Sequence, residues 1–401
     1  MKYSASEVMQ YIQEEDVKFI RLAFCDVYGK SKNISVMPTE LERAFEYGIA
    51  IDASAVAGFG DEVHSDLLLH PDPSTISVLP WRPEHGRVVR MFCDITYPDG
   101  TAFERDTRGL LKQAAAFAKE AGCCFAFGSE LEFYLFKLDE NGNPTKEPYD
   151  HAGYMDIAPE DKCENVRREI CLPLEQMGIR PERSHHEEGP GQKEIDFRYT
   201  DPLAAADNAV TFQTVVKTIA ARNGLYADFS PKPLADKPGS GFHINMSVKG
   251  SPENMVYMIA GILNKITDMT VFLNPTEQSY HRLGVNKAPK YISWSSDNRS
   301  QLIRIPAAGG EYRRAELRSP DPTANPYIAY TLLIYAGLYG IRNALELPMA
   351  SNVNLFTADQ QTLSQYKLLP QSLSSAAKQA LASDFIRDHL PEPLIRAYCK
   401  P

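Results

Sequence analysis

Four short stretches of this chain alternate charged or polar side chains with apolar ones, and between them they supply five glutamates and, with His243, one imidazole to a common set. They are Glu130-Leu131-Glu132-Phe133-Tyr134-Leu135-Phe136, then Glu194–Arg198 with the His185-His186-Glu187 run that opens it, then Gly241–Ser247, and finally Arg314–Arg318. A period of two is that of a β-strand, whose side chains alternate between faces and stand ~6.6 Å apart along each face. Each stretch therefore offers an apolar face to bury and a second face of Glu, His or Arg. One such strand alone is usually a solvated sheet face. His243 alone is more often a surface or satisfied core residue, and Arg314 and Arg318 could simply pair with Glu316. Recurrence favours the sharper reading. In one antiparallel sheet, Glu130, Glu132, Glu187, Glu194, His243 and Glu316 would converge on one cavity. Two carboxylates ~5 Å apart at an effective dielectric of ~20 repel by ~3 kcal/mol, so their convergence calls for cations. Oxygen-rich ligation with one nitrogen favours Mg²⁺ or Mn²⁺ over zinc or copper, which makes this a two-metal enzyme.

The 401 residues suffice for one large domain or two, and 43% hydrophobic with 23% charged residues is ordinary for a globular protein. A formal charge of −10 argues against nucleic-acid and anionic-membrane partners. The first twenty residues are interrupted by Lys2, Glu7, Glu14, Glu15 and Asp16, so no signal-peptide core is expected. The most apolar run, Met255–Leu263, is too short to span a bilayer. Seven cysteines without a Cys-x-x-Cys pair point to neither a zinc site nor a disulfide framework, and Cys123-Cys124 reads as small apolar packing. The expected location is the cytoplasm.

Residues 17–36 read as a hairpin, with strands Val17–Val27 and Lys32–Val36. A helix is expected over Thr39–Tyr47, capped by Thr39 and stopped by Gly48, followed by an irregular stretch, Ile51–Ala55, bearing Asp52. Strands over Thr75–Leu79 and Arg87–Thr96 complete a β-rich unit, and Asp106 caps a helix from Thr107 to about Glu120. We place the domain boundary between residues 1–105 and 106–401. Further helices are expected over Glu160–Met177, Pro202–Asn223, Pro252–Thr267 and Pro326–Ala344, alternating with the polar-faced strands. Arginine is dense between residues 280 and 320: Arg282, Arg299, Arg304, Arg313, Arg314 and Arg318. Guanidinium groups grip phosphate and carboxylate oxygens in pairs. Metals beside arginines suit phosphoryl transfer, though no Walker or kinase-type glycine loop occurs.

Five motifs, in this order, resemble the glutamine synthetase family, bacterial type I in particular, over nearly the whole chain. They are Gly128–Phe133, His185–Phe197, Lys232-Pro233 with Gly239–His243, Asn298–Pro306 and Arg314–Tyr327. The resemblance implies an α+β fold, with a β-grasp N-terminal domain and a catalytic domain built around an incomplete antiparallel barrel flanked by helices. It implies one metal on Glu132, Glu187 and Glu194 and another on Glu130, His243 and Glu316. Glu182, Asn245 and Ser247 match nucleotide-contacting positions. Arg299 and Arg304 match phosphate-binding arginines, with Arg314 on the same face. Arg282 and Arg318 match those that hold the amino-acid carboxylate, beside Gly239. Asp52 matches a carboxylate that reaches the adjoining subunit's site and helps deprotonate ammonium, and Tyr154 lines that pocket. ATP would activate a carboxylate as an acyl phosphate, which an amine then attacks.

The departures cluster at the amine end. Lys287 stands where the family flap carries a Glu before Ala-Pro, Pro238 replaces an Asn before Gly-Ser-Gly, and Asp-Gly-Ser-Ser has become Asp52-Ala53-Ser54-Ala55. Phe356 stands near a tyrosine that some members adenylylate, and the chain stops short of the tail that joins two rings, so a single hexameric ring is expected. The first reading is glutamine synthesis from glutamate, ammonia and ATP. Ligation to another amine is the alternative, and a non-catalytic nucleotide-binding relative the second.

Overall fold

The computed structural model describes residues 3–400 except 61, 62, 64, 83–85, 252 and 308–312. Its first sheet is built from β1 (Val17–Cys25), β2 (Ser31–Val36), β3 (Ile49–Asp52), β4 (Asp66–Pro71), β5 (Ser77–Val78) and β6 (Arg87–Thr96). Their order is β2-β1-β6-β4-β3, with β5 also on β6. The expected hairpin is present, with Leu22 opposite Ile34. Thr39 is not a helix cap: it lies inside a short 3-10 turn, Pro38–Glu40, and the α-helix Leu41–Tyr47 starts after it. Pro38 explains this, since its ring fixes φ at a value suited to the first turn of a helix. The strand expected over Thr75–Leu79 shrinks to β5, because Pro73–Thr75 forms another 3-10 turn capped by Asp72.

The second sheet holds the polar-faced strands. It comprises β7 (Cys124–Leu138), β8 (Pro144–Pro148), β9 (Pro181–His186), β10 (Gln192–Phe197), β11 (Leu225–Asp228), β12 (Phe242–Lys249), β13 (Trp294–Ser296), β14 (Ile303–Ile305) and β15 (Ala315–Leu317). The order β13-β14-β15-β12-β7-β10-β9 makes all four motif segments neighbours, as their shared alternation demands. Every pair along that path is antiparallel except β13–β14. The apolar face, with Leu131, Phe133, Ile195, Phe242, Ile244 and Leu317 all buried, packs under the helices.

Helices Thr107–Glu120, Glu164–Gln176, Pro202–Arg222, Asn254–Leu273 and Pro326–Arg342 match the expected segments within a few residues; the expected start at Pro252 lies outside the described residues. Asn254–Leu273 outruns the apolar stretch first noted and is long and apolar enough to cross a membrane, yet 67% of its apolar window is buried inside the fold. It crosses Pro326–Arg342 at two opposed glycines: a Cβ on Gly261 would lie 2.1 Å from the Ala336 carbonyl oxygen, and one on Gly340 1.9 Å from that of Tyr257. Cys123 is buried as expected, but Cys124 is exposed, because alternation at the start of β7 turns it outward. Buried Arg108 joins the two sheets' surroundings, donating to Asp72 and Asp94 at 2.9 Å and to both oxygens of Asp207 at 3.1 and 3.0 Å.

Candidate active site

Strand register assembles the acids. His243 on β12 stands opposite Glu130 on β7, Glu132 opposite Glu194 on β10, and Glu194 opposite His185 on β9. On the other flank Glu316 of β15 pairs with Asn245 and with Arg304 of β14. All these side chains share one face of the sheet, and all but Glu316 and Asn245 line a cavity of about 570 Å³. Potential ligand atoms of Glu130, His243 and Glu316 lie within 4.8 Å of one another, as do those of Glu132, Glu194 and His243, and of His185, Glu187 and Glu194. The set implied for one ion is thus a single cluster, whereas Glu132 and Glu187 fall in two overlapping clusters joined through Glu194.

The electrostatics of this face differ from end to end. At Glu130 burial alone would raise the pKa, but the hydrogen bond and charge of His243, helped by Asn245 at 2.8 Å, hold it at about 2. Glu316 is also held low: burial opposes it, and the charge of Arg318 outweighs that cost. Arg304 Nε and Arg318 Nη1 donate to its two oxygens at 2.6 and 2.7 Å. At the other end the compensation is weaker, with the Glu188 N–H and Lys287 offsetting only part of the cost at Glu187. Burial and the neighbouring Glu132 push Glu187 up to about 8, and burial with Asp196 raises Glu194 well above its ordinary value. Such crowded acids are stable as anions only with cations among them. Five carboxylates and an imidazole fit hard divalent ions such as Mg²⁺ or Mn²⁺.

Arginines stand among the acids: Arg299, Arg304 and Arg314 line the cavity with Arg282 and Arg318. Arg282 is buried and donates to the carbonyls of Ser319 at 2.7 Å and Arg318 at 3.2 Å, leaving other N–H groups for a ligand. Gly239 sits at a close approach: a Cβ there would meet the Pro231 carbonyl oxygen at 2.4 Å. Its own carbonyl accepts from Gln192, which also donates to Glu132 at 3.2 Å. Asn245 accepts from Arg314 at 2.7 Å, and it borders a small side cleft with Ser247. Tyr154 packs edge-on to His185 at 5.4 Å. Lys287 reaches the mouth, where its ammonium pairs with Glu188 and lies 5.9 Å from the Tyr154 ring centre.

Of the expected residues, Asn245 and Ser247 border only the side cleft, Glu316 is buried, and Glu182 and Asp52 stand apart. Glu182 is exposed on β9 and is not among the lining residues, and neither is Asp52. Asp52 ends β3 and accepts hydrogen bonds from Ser54 N and Oγ at 2.9 and 2.6 Å, which lower its pKa.

Sequence reasoning missed Glu188, Gln192 and the role of His185 between Glu187 and Glu194. It also missed what lies beneath β10. There Lys193 is wholly buried, with its ammonium 2.7 Å from Asp150 and 2.9 Å from Asp161, and His186 reaches Asp150 at 2.7 Å. These groups alternate with Glu194 and Glu187, so the signal was present in the same period of two. They anchor the segment carrying Tyr154 to the strands that carry the acids.

Comparison with known proteins gives a consistent result. The family model for the glutamine synthetase catalytic domain matches residues 104–401, and that for the glutamine synthetase β-grasp domain matches residues 16–98. The chain is 44% identical to glutamine synthetase of Methanosarcina mazei, over 98% of this chain and 92% of that one. It is 43% identical to glutamine synthetase of Clostridium saccharobutylicum, over 97% and 93%. Among solved structures, a GmaS/ADP complex superposes with a TM-score of 0.89 at 27% identity, covering 98% of this chain and 94% of that one. Plasmodium falciparum glutamine synthetase, at 22% identity, covers 100% and 95% with a TM-score of 0.87 and shares the fold.

Proposed function

The chain belongs to the glutamine synthetase family, and from that premise we propose that it ligates ammonia to the side-chain carboxylate of glutamate, converting ATP to ADP and phosphate. The observation that carries this reading is the cavity lined by five potential metal ligands and by arginines, with the sixth ligand, Glu316, buried beside Glu130 and His243. Glu132, Glu187 and Glu194 would hold one divalent ion, and Glu130, His243 and Glu316 another. When bound, the ions supply positive charge that offsets the acids and the phosphate oxygens.

The chain's own groups do the rest. Glu182, Asn245 and Ser247 contact the nucleotide. Arg299, Arg304 and Arg314 donate to the transferring phosphoryl group, where fixed donors meet the charge that develops. Arg318 and Arg282 orient the amino acid through its carboxylate, next to the narrow floor at Gly239. An oxygen of the glutamate side chain attacks the terminal phosphorus, and ADP leaves. Ammonia then attacks the acyl carbon, the C–O bond breaks, and phosphate departs taking the proton that the nitrogen sheds. The proton shed in forming ammonia from ammonium passes to Asp52 of a neighbouring copy. All seven cysteines are free, in keeping with a reducing cytoplasm.

A second reading, ligation to another amine, is favoured by one feature: the cation Lys287 at the mouth where ammonium would enter. Its pairing with Glu188 answers part of that objection, since the pair presents no net charge. Coupled ADP release with glutamate, measured against ammonium and a panel of alkylamines, decides between the readings. Preference for ammonium supports glutamine synthesis. Turnover only with an alkylamine supports the second reading, and no amine-dependent turnover with any acceptor defeats both. In the first case Lys287→Glu, which places a proton acceptor at the mouth, should lower the KM for ammonium.

A further inference from the structure

Arg21 on β1 and Arg90 on β6 are direct neighbours across the first sheet, in register. Their faces match, so two guanidinium groups project from adjacent strands, ~4.8 Å apart at the backbone, into the seam against helix Pro202–Arg222. Neither makes an ion pair with a carboxylate among the described residues. The Nε atoms of both are buried without a hydrogen-bond partner. Arg90 donates once, to Thr211 Oγ1 of that helix at 3.1 Å, and its guanidinium lies 4.0 Å from the centre of the Phe92 ring. The acid whose charge Arg90 senses, Asp207, has both oxygens engaged by Arg108 and one also by Tyr327. Arg82 adds further positive charge near Arg21.

Between them is a cavity of about 60 Å³ lined by Arg21, Arg90, Trp81, Asn33, Ser31 and Thr211, with no acid among its lining. A water needs ~10–15 Å³ of such volume, so there is room for a few waters or one small oxyanion. Arginine cannot shed its proton to relieve the repulsion, and its fork suits carboxylate and phosphate oxygens. Ser31, Asn33, Thr211 and Thr214 add hydroxyl and amide donors, and Ala23, Leu79, Phe92, Met177 and Val210 form the apolar remainder of the wall. We propose that this seam is a binding site for a small oxyanion, the carboxylate or phosphate group of a metabolite, gripped by Arg21 and Arg90 and separate from the reaction cavity. Bound there, the anion touches the first sheet and helix Pro202–Arg222 together, and so reinforces the junction between the two parts of the chain.

Trp81 makes the site observable, since the chain has only one other tryptophan, Trp294. In the full-length Trp294→Phe protein, Trp81 emission is followed while phosphate, a monocarboxylate or a short dicarboxylate replaces chloride at constant ionic strength. The expected result is a saturable change with at least one of these, weakened tenfold or more by Arg90→Gln. A response to phosphate alone or to a carboxylate alone supports the site and names the source of the oxyanion. Should Arg90→Gln fail to fold, Arg21→Gln, at the half-exposed rim, serves the same comparison. Emission that stays flat with all three anions, or a change that both variants retain in full, overturns the proposal.

Discussion

Glu316 is wholly buried and holds two arginines, whereas Glu187 and Glu194 are crowded by other acids. The same chemical change should therefore act oppositely at the two ends of the site. Glu316→Ala strands Arg304 and Arg318 and should cost ~3–5 kcal/mol, besides abolishing ATP turnover. Glu187→Gln removes a repelled charge and should raise the melting temperature of metal-free protein while also abolishing turnover. Calorimetry and ADP release check both; equal destabilisation would show that repulsion among the acids does not govern the Glu187 end. A pH dependence follows from the same asymmetry. Glu187 ionises at about 8 in the fold against 4.5 as a free side chain, and Glu194 is raised likewise. An acid whose pKa is raised by folding favours the native state fully at low pH and loses that advantage as pH climbs. The melting temperature of metal-free protein should thus fall between pH 5 and 8, and Mg²⁺ should restore more at pH 8 than at pH 5. At this scale the sequence was most legible where side chains alternate. Five of the six acid and imidazole positions line the cavity, and the sixth, Glu316, is buried within ligand distance of Glu130 and His243, because register follows from the pattern. Glu188 was illegible and Lys193 legible only as an alternating position, because their partners Lys287, Asp150 and Asp161 are distant in the chain and only the folded structure joins them.

Among elements, the pairing of helices Asn254–Leu273 and Pro326–Arg342 is the tightest constraint. Both are apolar nearly all round, and their axes approach closely enough that backbone meets backbone at Gly261 and Gly340. Gly261→Ala is favourable for an isolated helix by ~1 kcal/mol. Here the added methyl strikes the Ala336 carbonyl, which cannot rotate away, so net destabilisation of ~1–3 kcal/mol is expected from urea unfolding. The sequence revealed both helices but not their crossing: a glycine inside a helix carries no address for its partner. Capped helices such as Thr107–Glu120, whose Asp106 accepts from Arg108 N at 3.1 Å, were read to the residue. Short strands were not, and β4 escaped notice because Pro71 and Asp72 at its end resemble a turn.

For the whole molecule, the informative fact is that Asp52 lies on the first sheet and outside its own chain's cavity. We propose a ring, of six copies by our reading, in which each Asp52 serves the next site. Asp52→Ala and Glu132→Ala should each be nearly inactive alone. Co-expressed in equal amounts, they should regain activity at about a quarter of the sites, those drawing each intact half from a different chain. No recovery in mixed rings, verified by light scattering to be assembled, would place Asp52 outside the reaction. The alternating strands of the second sheet give this a wider consequence. Catalytic glutamates occupy one face and the packing residues the other, so a duplicated gene could lose Glu132 or Glu194 and still encode a well-formed subunit. Such a chain would keep its Asp52, and incorporated beside an intact copy it would act as a helper to its neighbour rather than a poison.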